Sequence, residues 1–230
     1  MNNFIEESLF FGIFISLISY ELGIFLKKKL KLAIFNPLLI SILLTIATLL
    51  IFHIDYDAYN KSAQYISYLL TPATICLAVP LYEQIQLLKH NLAAIIIGIS
   101  TGVLTSLCSI LLLSRLFHLE HASYVTLLPK SITTAIGIGI SEELGGYISL
   151  TVAVIIITGV IGNMFAEMIC RWFHITDPIA KGVAIGTSSH AMGTAKAMEM
   201  GDIEGAMSSL SIVVAGMLTV IGASIFSNFM

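Results

Sequence analysis

Uncharged runs set the first limit on what this chain can fold into. Residues 37–54, 62–82, 91–114, 144–166 and 205–230 contain no Asp, Glu, Lys or Arg, while 8–26 holds only Glu21 and 122–140 only Lys130. A helix needs roughly 20 apolar residues to cross a bilayer. Runs this long, placed end to end, leave no room for a water-soluble domain. Charged residues make up 11% of the chain and hydrophobic residues 57%, where a soluble domain carries about 25% charged residues. The expected fold is an all-α polytopic membrane protein with about six to eight spans, and residues 1–230 form a single membrane domain.

Composition also excludes several functions. A net charge of −3 gives nucleic acid nothing to bind. Cys76, Cys108 and Cys170 are isolated and odd in number, so they suggest neither a disulfide framework nor a metal site. The opening "MNNFIEESLFFG" lacks a basic n-region, so the first apolar run reads as a retained span. Lys27, Lys28, Lys29 and Lys31 form the only dense basic cluster, which places that loop inside and the N-terminus, with Glu6 and Glu7, outside.

Two segments interrupt the apolar pattern at corresponding places. In the third, "SAQYISYLLTPATICLAVPLYEQIQLLKH", Pro72 and Pro80 predict a break. At an offset of 114 residues, Pro72-Ala73-Thr74 falls opposite Gly186-Thr187-Ser188. Paired interruptions in two halves point to a transporter site at the bilayer midplane. The halves are read as repeats over about 8–117 and 122–230, each with an interrupted or re-entrant helix. If the interrupted segments are re-entrant, the repeats are inverted, and Arg115 and Arg171 join the lysine cluster inside.

Polarity at membrane depth concentrates in "LLTPATICLAVP", "LLPKSITTAIGIG" and "GTSSHAMGTAKAMEMGD". Pro72, Ala73 and Thr74 in the first are candidate substrate-binding residues. So are Lys130, Ser131, Thr133 and Thr134 in the second, and Thr187, Ser188, Ser189, His190 and Thr194 in the third. Lys130 reads either as the counter-charge of an anion or as a lysine snorkelling to an interface. His190 reads either as a proton-coupling group or as a histidine bonded across helices. Gly186 is expected to permit the break, with a half-helix starting near Ser188 and running through Met200. Its free N–H groups would hold an anion. Ser189, Gly193, Ala197 and Gly201 recur every fourth residue, which allows a second helix to approach closely. Adjacent Ser-His on one helix points its side chains apart, so no catalytic site, and no enzyme, is expected. No metal ligand set appears, and no cofactor is expected beyond a coupled proton or sodium ion.

The motifs "NPLLISILL" at Asn36, "TPATICLAVPLY" at Thr71, "LLPKSITTAI" at Leu127, "ISEELGG" at Ile140 and the long run "DPIAKGVAIGTSSHAMGTAKAMEMGD" at Asp177 resemble the LrgB/CidB family of bacterial membrane proteins. They also resemble the C-terminal half of the plastid glycolate/glycerate transporter. Relatives often carry Pro where Ala135 stands here, and Gly or Glu in place of Thr71. The resemblance implies a bacterial cell-membrane protein that works with a small LrgA/CidA-type membrane partner. It implies either movement of small monocarboxylates of the pyruvate, lactate or glycolate type, or holin/antiholin-like control of murein hydrolase activity and autolysis. Homo-oligomers fit either reading.

Overall fold

The computed structural model describes residues 10–30 and 35–230. Glu6, Glu7, Lys31 and the expected side of the N-terminus lie outside the described residues. The described chain is α-helical, with one closing 3-10 turn and no strand. It divides into two compact units, Met1–Cys76 and Leu77–Met230.

The first unit holds α1 (Phe11–Leu30), α2 (Pro37–Ile51), α3 (Tyr56–Ser67) and α4 (Leu70–Cys76). Asn36 starts α2: its Oδ1 accepts from the Leu38 and Leu39 amides, and Pro37 fills the first turn, where a missing N–H costs nothing. α1 packs on α2 and α3. Its Gly12 amide donates to the buried Ser62 Oγ at 2.6 Å.

The second unit holds α5 (Ala78–Glu83), α6 (Ile85–Leu116), α7 (His121–Leu127), α8 (Thr134–Glu143), α9 (Ile148–Trp172), α10 (Pro178–Met200) and α11 (Asp202–Phe226). By length and composition, Tyr56–Glu83, Ile85–Leu116, Ile148–Trp172 and Asp202–Phe229 can each cross a membrane, and α2 is a shorter apolar helix. Three helices end on the same dipeptide. Phe52-His53, Phe117-His118 and Phe173-His174 each close a helix with the histidine at positive φ, a position glycine or asparagine usually takes.

The stretch is broken as Pro72 and Pro80 predict, about one turn before each proline. Pro72 is the third residue of α4 and Pro80 the third of α5, and the interruptions lie just before each short helix, at 68–69 and at Leu77. A proline in a first turn removes an N–H that would have no partner there anyway.

Residues 122–140 do not form a span, contrary to the uncharged-run reading. α7 and α8 fold back on one another around the turn at 128–133. Thr126 and Ser141, one on each arm, share Thr151: its single hydroxyl lies within hydrogen-bond distance of both, 3.2 Å from Thr126 O and 2.7 Å from Ser141 Oγ. Two tight turns, Lys130 N to Leu127 O and Ile132 N to Pro129 O, reverse the chain.

α10 also reverses. At His190 the backbone takes φ 44° and ψ −140°, which is not helical. Ile185 packs with Ala197 in one buried cluster. A straight helix would hold residues twelve apart at about 18 Å, so the two halves of α10 must lie side by side. The expected break at Gly186 is therefore four residues too early. His190 instead stands 114 positions after Cys76, the last residue of α4. Gly186 lies inside the first half, where it gives α11 close access: a Cβ there would come within 2.8 Å of Ser208 Cα. Gly193 serves the hairpin itself, since a Cβ on it would stand 2.6 Å from Ser189 Cβ and 3.1 Å from Ile185 O. The small-residue stripe thus closes α10 on itself at Gly193, and it also admits α9 as a facing helix, with Ser189 against Gly162 and Ala197 beside Ala166.

The directions of the helices follow from these contacts. Gly98 meets Val183 and Gly102 meets Thr187, so α6 runs parallel to the first half of α10. Against α9 the order is reversed, with Ala166 beside Ile185, and His190 bonded to Ile155. α6 and α9 are therefore antiparallel, and Arg115 and Arg171, each in its helix's last turn, lie at opposite ends of the unit. The expectation that both join one basic side fails because 121–143 returns to the end it entered from.

Candidate functional site

Two re-entrant hairpins enter the second unit from opposite ends. The α7–α8 hairpin starts at the Arg115 end, where Tyr124 Oη donates to Phe226 O at 2.9 Å and Arg115 Nη2 donates to Phe229 O at 2.8 Å. The α10 hairpin starts at the Arg171 end. There Lys181 faces Glu204 at 3.8 Å, and Lys196 faces Glu167 at 3.4 Å and Glu199 at 3.2 Å. Arg171 also pairs with Glu167. One lysine from each half thus ties the foot of α10 to α11 and α9.

The tip of α10 reaches the middle of α9. His190 Nε2 donates to Ile155 O at 3.1 Å, and Asn163 Nδ2 donates to Met192 O at 2.6 Å. Gly159 and Gly162 clear the space: a Cβ on Gly159 would meet the His190 ring at 2.7 Å, and one on Gly162 would run into Ser189. Ile155–Asn163 brackets the midpoint of a 25-residue helix. The turn therefore sits at mid-span.

Both hairpins converge on one face of α6. Ser131 Oγ lies 3.4 Å from Ser106 Oγ, and a Cβ on Gly102 would lie 2.8 Å from the Thr187 methyl. Gly102 and Ser106 are one helical turn apart. A cavity of about 740 Å³ opens along this face, lined by Lys130, Ser131, Thr187 and Ser188 from the hairpins. Thr101, Thr105, Ser106 and Ser109 of α6 line it too, with Asn91 and Asp177 towards the Arg171 end. Lys130 donates from Nζ to Ser131 Oγ at 2.9 Å, and among the described residues no carboxylate pairs with it. Thr187 is 7% exposed and its Oγ1 is buried without a hydrogen-bond partner. Helical threonines normally bond back to the preceding turn, as Thr48, Thr101, Thr105 and Thr126 do here. Thr187 departs from them.

The remaining sequence candidates fall elsewhere. Ser189 bonds Ser188 at 3.0 Å and packs on α9 rather than lining the cavity. His190 and Thr194 are buried behind it, Thr194 bonding His190 O at 3.0 Å and Ser208 Oγ at 2.7 Å. Thr133 and Thr134 open α8, half-buried. Pro72, Ala73 and Thr74 lie in α4 of the first unit, where Pro72 and Ala73 are exposed. The α6 wall escaped the sequence reading altogether. Its signal was present: Gly98, Gly102 and Ser106, and beside them Thr101, Thr105 and Ser109, each recur every fourth residue.

A helical membrane protein with two opposed re-entrant hairpins closing on a hydroxyl-lined cavity and one lysine is the class these features define. The chain belongs to the LrgB-like family, whose model matches residues 16–229. A protein named antiholin-like protein LrgB from Bacillus subtilis (strain 168) is 38% identical over 218 residues, covering 94% of each chain. Namesakes from Bacillus cereus (strain B4264) and Bacillus anthracis (strain CDC 684 / NRRL 3495) are 36% identical over 221 residues, covering 96% of each. No solved structure matches the chain.

Proposed function

We propose that the protein is a carrier of small monocarboxylates, of the pyruvate, lactate or glycolate type, with the α6 cavity as its binding site. One observation carries this reading. The Lys130 ammonium, with no carboxylate partner among the described residues, shares a cavity with the tips of hairpins from both ends. An anion held there would pair with Lys130 and take hydrogen bonds from Ser131, Thr187 and Ser188. The carrier would sit in the bacterial cell membrane with its lysine cluster inside and its N-terminus outside, and would act with an LrgA/CidA-type partner. Inverted repeats over 8–117 and 122–230 belong to this reading through sequence correspondence, with Pro72, Ala73 and Thr74 as counterparts of Gly186, Thr187 and Ser188. The names of the Bacillus relatives favour a second reading, a holin/antiholin-like regulator of murein hydrolase activity and autolysis.

Reconstitution separates the two. Purified protein in liposomes, with and without the partner, is assayed for uptake of labelled pyruvate, lactate and glycolate. Saturable uptake supports the carrier; no uptake of any of them with the partner present leaves the regulator. Within the carrier reading, Ser188→Ala and Thr187→Val each remove one neutral hydrogen bond. Each should raise the apparent KM about five-fold, since one such bond is worth ~1 kcal/mol. An unchanged KM in both variants would remove that wall from the site.

A further inference from the structure

His190 combines a costly backbone with a specific ring contact. Its φ of 44° with ψ of −140° is a conformation that glycine takes freely and that is strained for a residue with a side chain. Such a residue persists only where its surroundings fix it. Here the ring does the fixing. A carbonyl can only accept, so Nε2 carries the hydrogen in its 3.1 Å bond to Ile155 O. The side chain is 3% exposed and sits where Gly159 leaves room for it. His190 O in turn accepts from Thr194 Oγ1, and that hydroxyl is bonded to Ser208 on α11. The turn is thereby tied to α9 by its ring and to α11 through its carbonyl. Thr187 and Ser188, which line the cavity, stand three and two residues before it.

We propose that His190 is a positioning residue. Its ring, hydrogen-bonded to the mid-span carbonyl of Ile155, sets the point where α10 reverses and so holds Thr187 and Ser188 against α6. The role does not require a proton to be carried. The transport part of the proposal rests on the carrier reading; the geometric part does not.

The test uses the full chain with Cys76, Cys108 and Cys170 replaced by Ser, and with Gly102→Cys and Thr187→Cys added. A Cβ on Gly102 lies 3.6 Å from Thr187 Cβ, close to the separation a disulfide needs. Oxidation should link this pair in the protein with His190 intact. It should do so nearly as well with His190→Gln, whose amide N–H can still donate to Ile155 O. In His190→Leu the linked fraction at fixed oxidation time should fall about five-fold, the change one lost hydrogen bond produces. Where His190→Leu does not give monodisperse protein, His190→Gly decides, because it relieves the backbone while removing the ring. Linking undiminished in both His190→Leu and His190→Gly overturns the proposal, and so does equal loss in His190→Gln. On the native cysteine background, uptake by His190→Gln should keep the parent's dependence on pH; a changed profile would give His190 a protonic role instead. If the parent takes up no carboxylate, the carrier reading fails and the linking result stands by itself.

Discussion

Lys130→Met should lower carboxylate uptake by at least about a hundred-fold while leaving membrane insertion and yield unchanged. Removing one partner of a desolvated charge pair costs about 3–5 kcal/mol, because the other charge is left buried and alone. At ~1.4 kcal/mol per factor of ten, the lower figure already exceeds a hundred-fold. The snorkelling alternative predicts no such loss, and the geometry opposes it. Ser131, the neighbour to which Lys130 donates, lies against Ser106, which stands ten residues before Leu116 at the end of α6. Ten helical residues rise about 15 Å, well beyond the reach of a lysine stem. Methionine keeps the length and apolar packing of the stem, so only the charge is tested. Initial-rate uptake in liposomes of matched protein content decides the matter. Rates equal to the parent's would return Lys130 to a structural role.

The parts of the fold that depend on burial alone could be read from the sequence. α6, α9 and α11 each occupy one of the uncharged runs, because a charge-free stretch of that length has only the bilayer interior as a stable place. Re-entry was harder to see. Residues 122–140 are apolar enough to cross, and nothing local distinguishes a span from two short arms. The hydroxyls that join those arms, Thr126, Ser141 and Thr151, come from three separate elements. Only tertiary structure brings them together.

The candidate site was legible in its two tips and hidden in its wall. A lysine in an otherwise uncharged run and a cluster of hydroxyls near a histidine are local signals, and the structure places Lys130, Ser131, Thr187 and Ser188 around one cavity. The α6 hydroxyls resemble ordinary small residues of a span until a neighbour shows which face they occupy. The exact turning point was missed for a related reason. A glycine suggests a hinge because its backbone is permissive, but Gly186 acts here through its missing side chain. His190, which does bend the chain, has no such signature, because the contacts that hold it come from α9 and α11.

That distinction yields the second large effect. Gly186→Leu should destabilise the protein severely, and the cause should be contact with α11 rather than loss of a hinge. A Cβ at 186 would stand 2.8 Å from Ser208 Cα and 2.8 Å from Ser211 Cβ, and it also meets the Ser208 carbonyl. Most of that surface is backbone, which cannot rotate out of the way, so α10 and α11 must separate. Overpacking costs about 1–3 kcal/mol even where side chains can adjust. For a chain of this length, 3 kcal/mol corresponds to a fall in apparent Tm on the order of 10 °C. Gly139→Leu is the matched control: it too lies within a helix, and a Cβ there meets nothing within 4 Å. Its Tm should stay within about 2 °C of the parent's, in keeping with a surface substitution. A hinge at Gly186 would predict a different ordering. Gly186→Ala would then act chiefly through backbone freedom, and its cost would match Gly139→Ala at about 1 kcal/mol or less, in whichever direction helix propensity drives it. Close packing requires Gly186→Ala to be clearly the worse of the two, because the first carbon of any side chain already collides. Thermal unfolding of the four variants in one detergent separates the cases, and equal Tm values for Gly186→Ala and Gly139→Ala would restore the hinge.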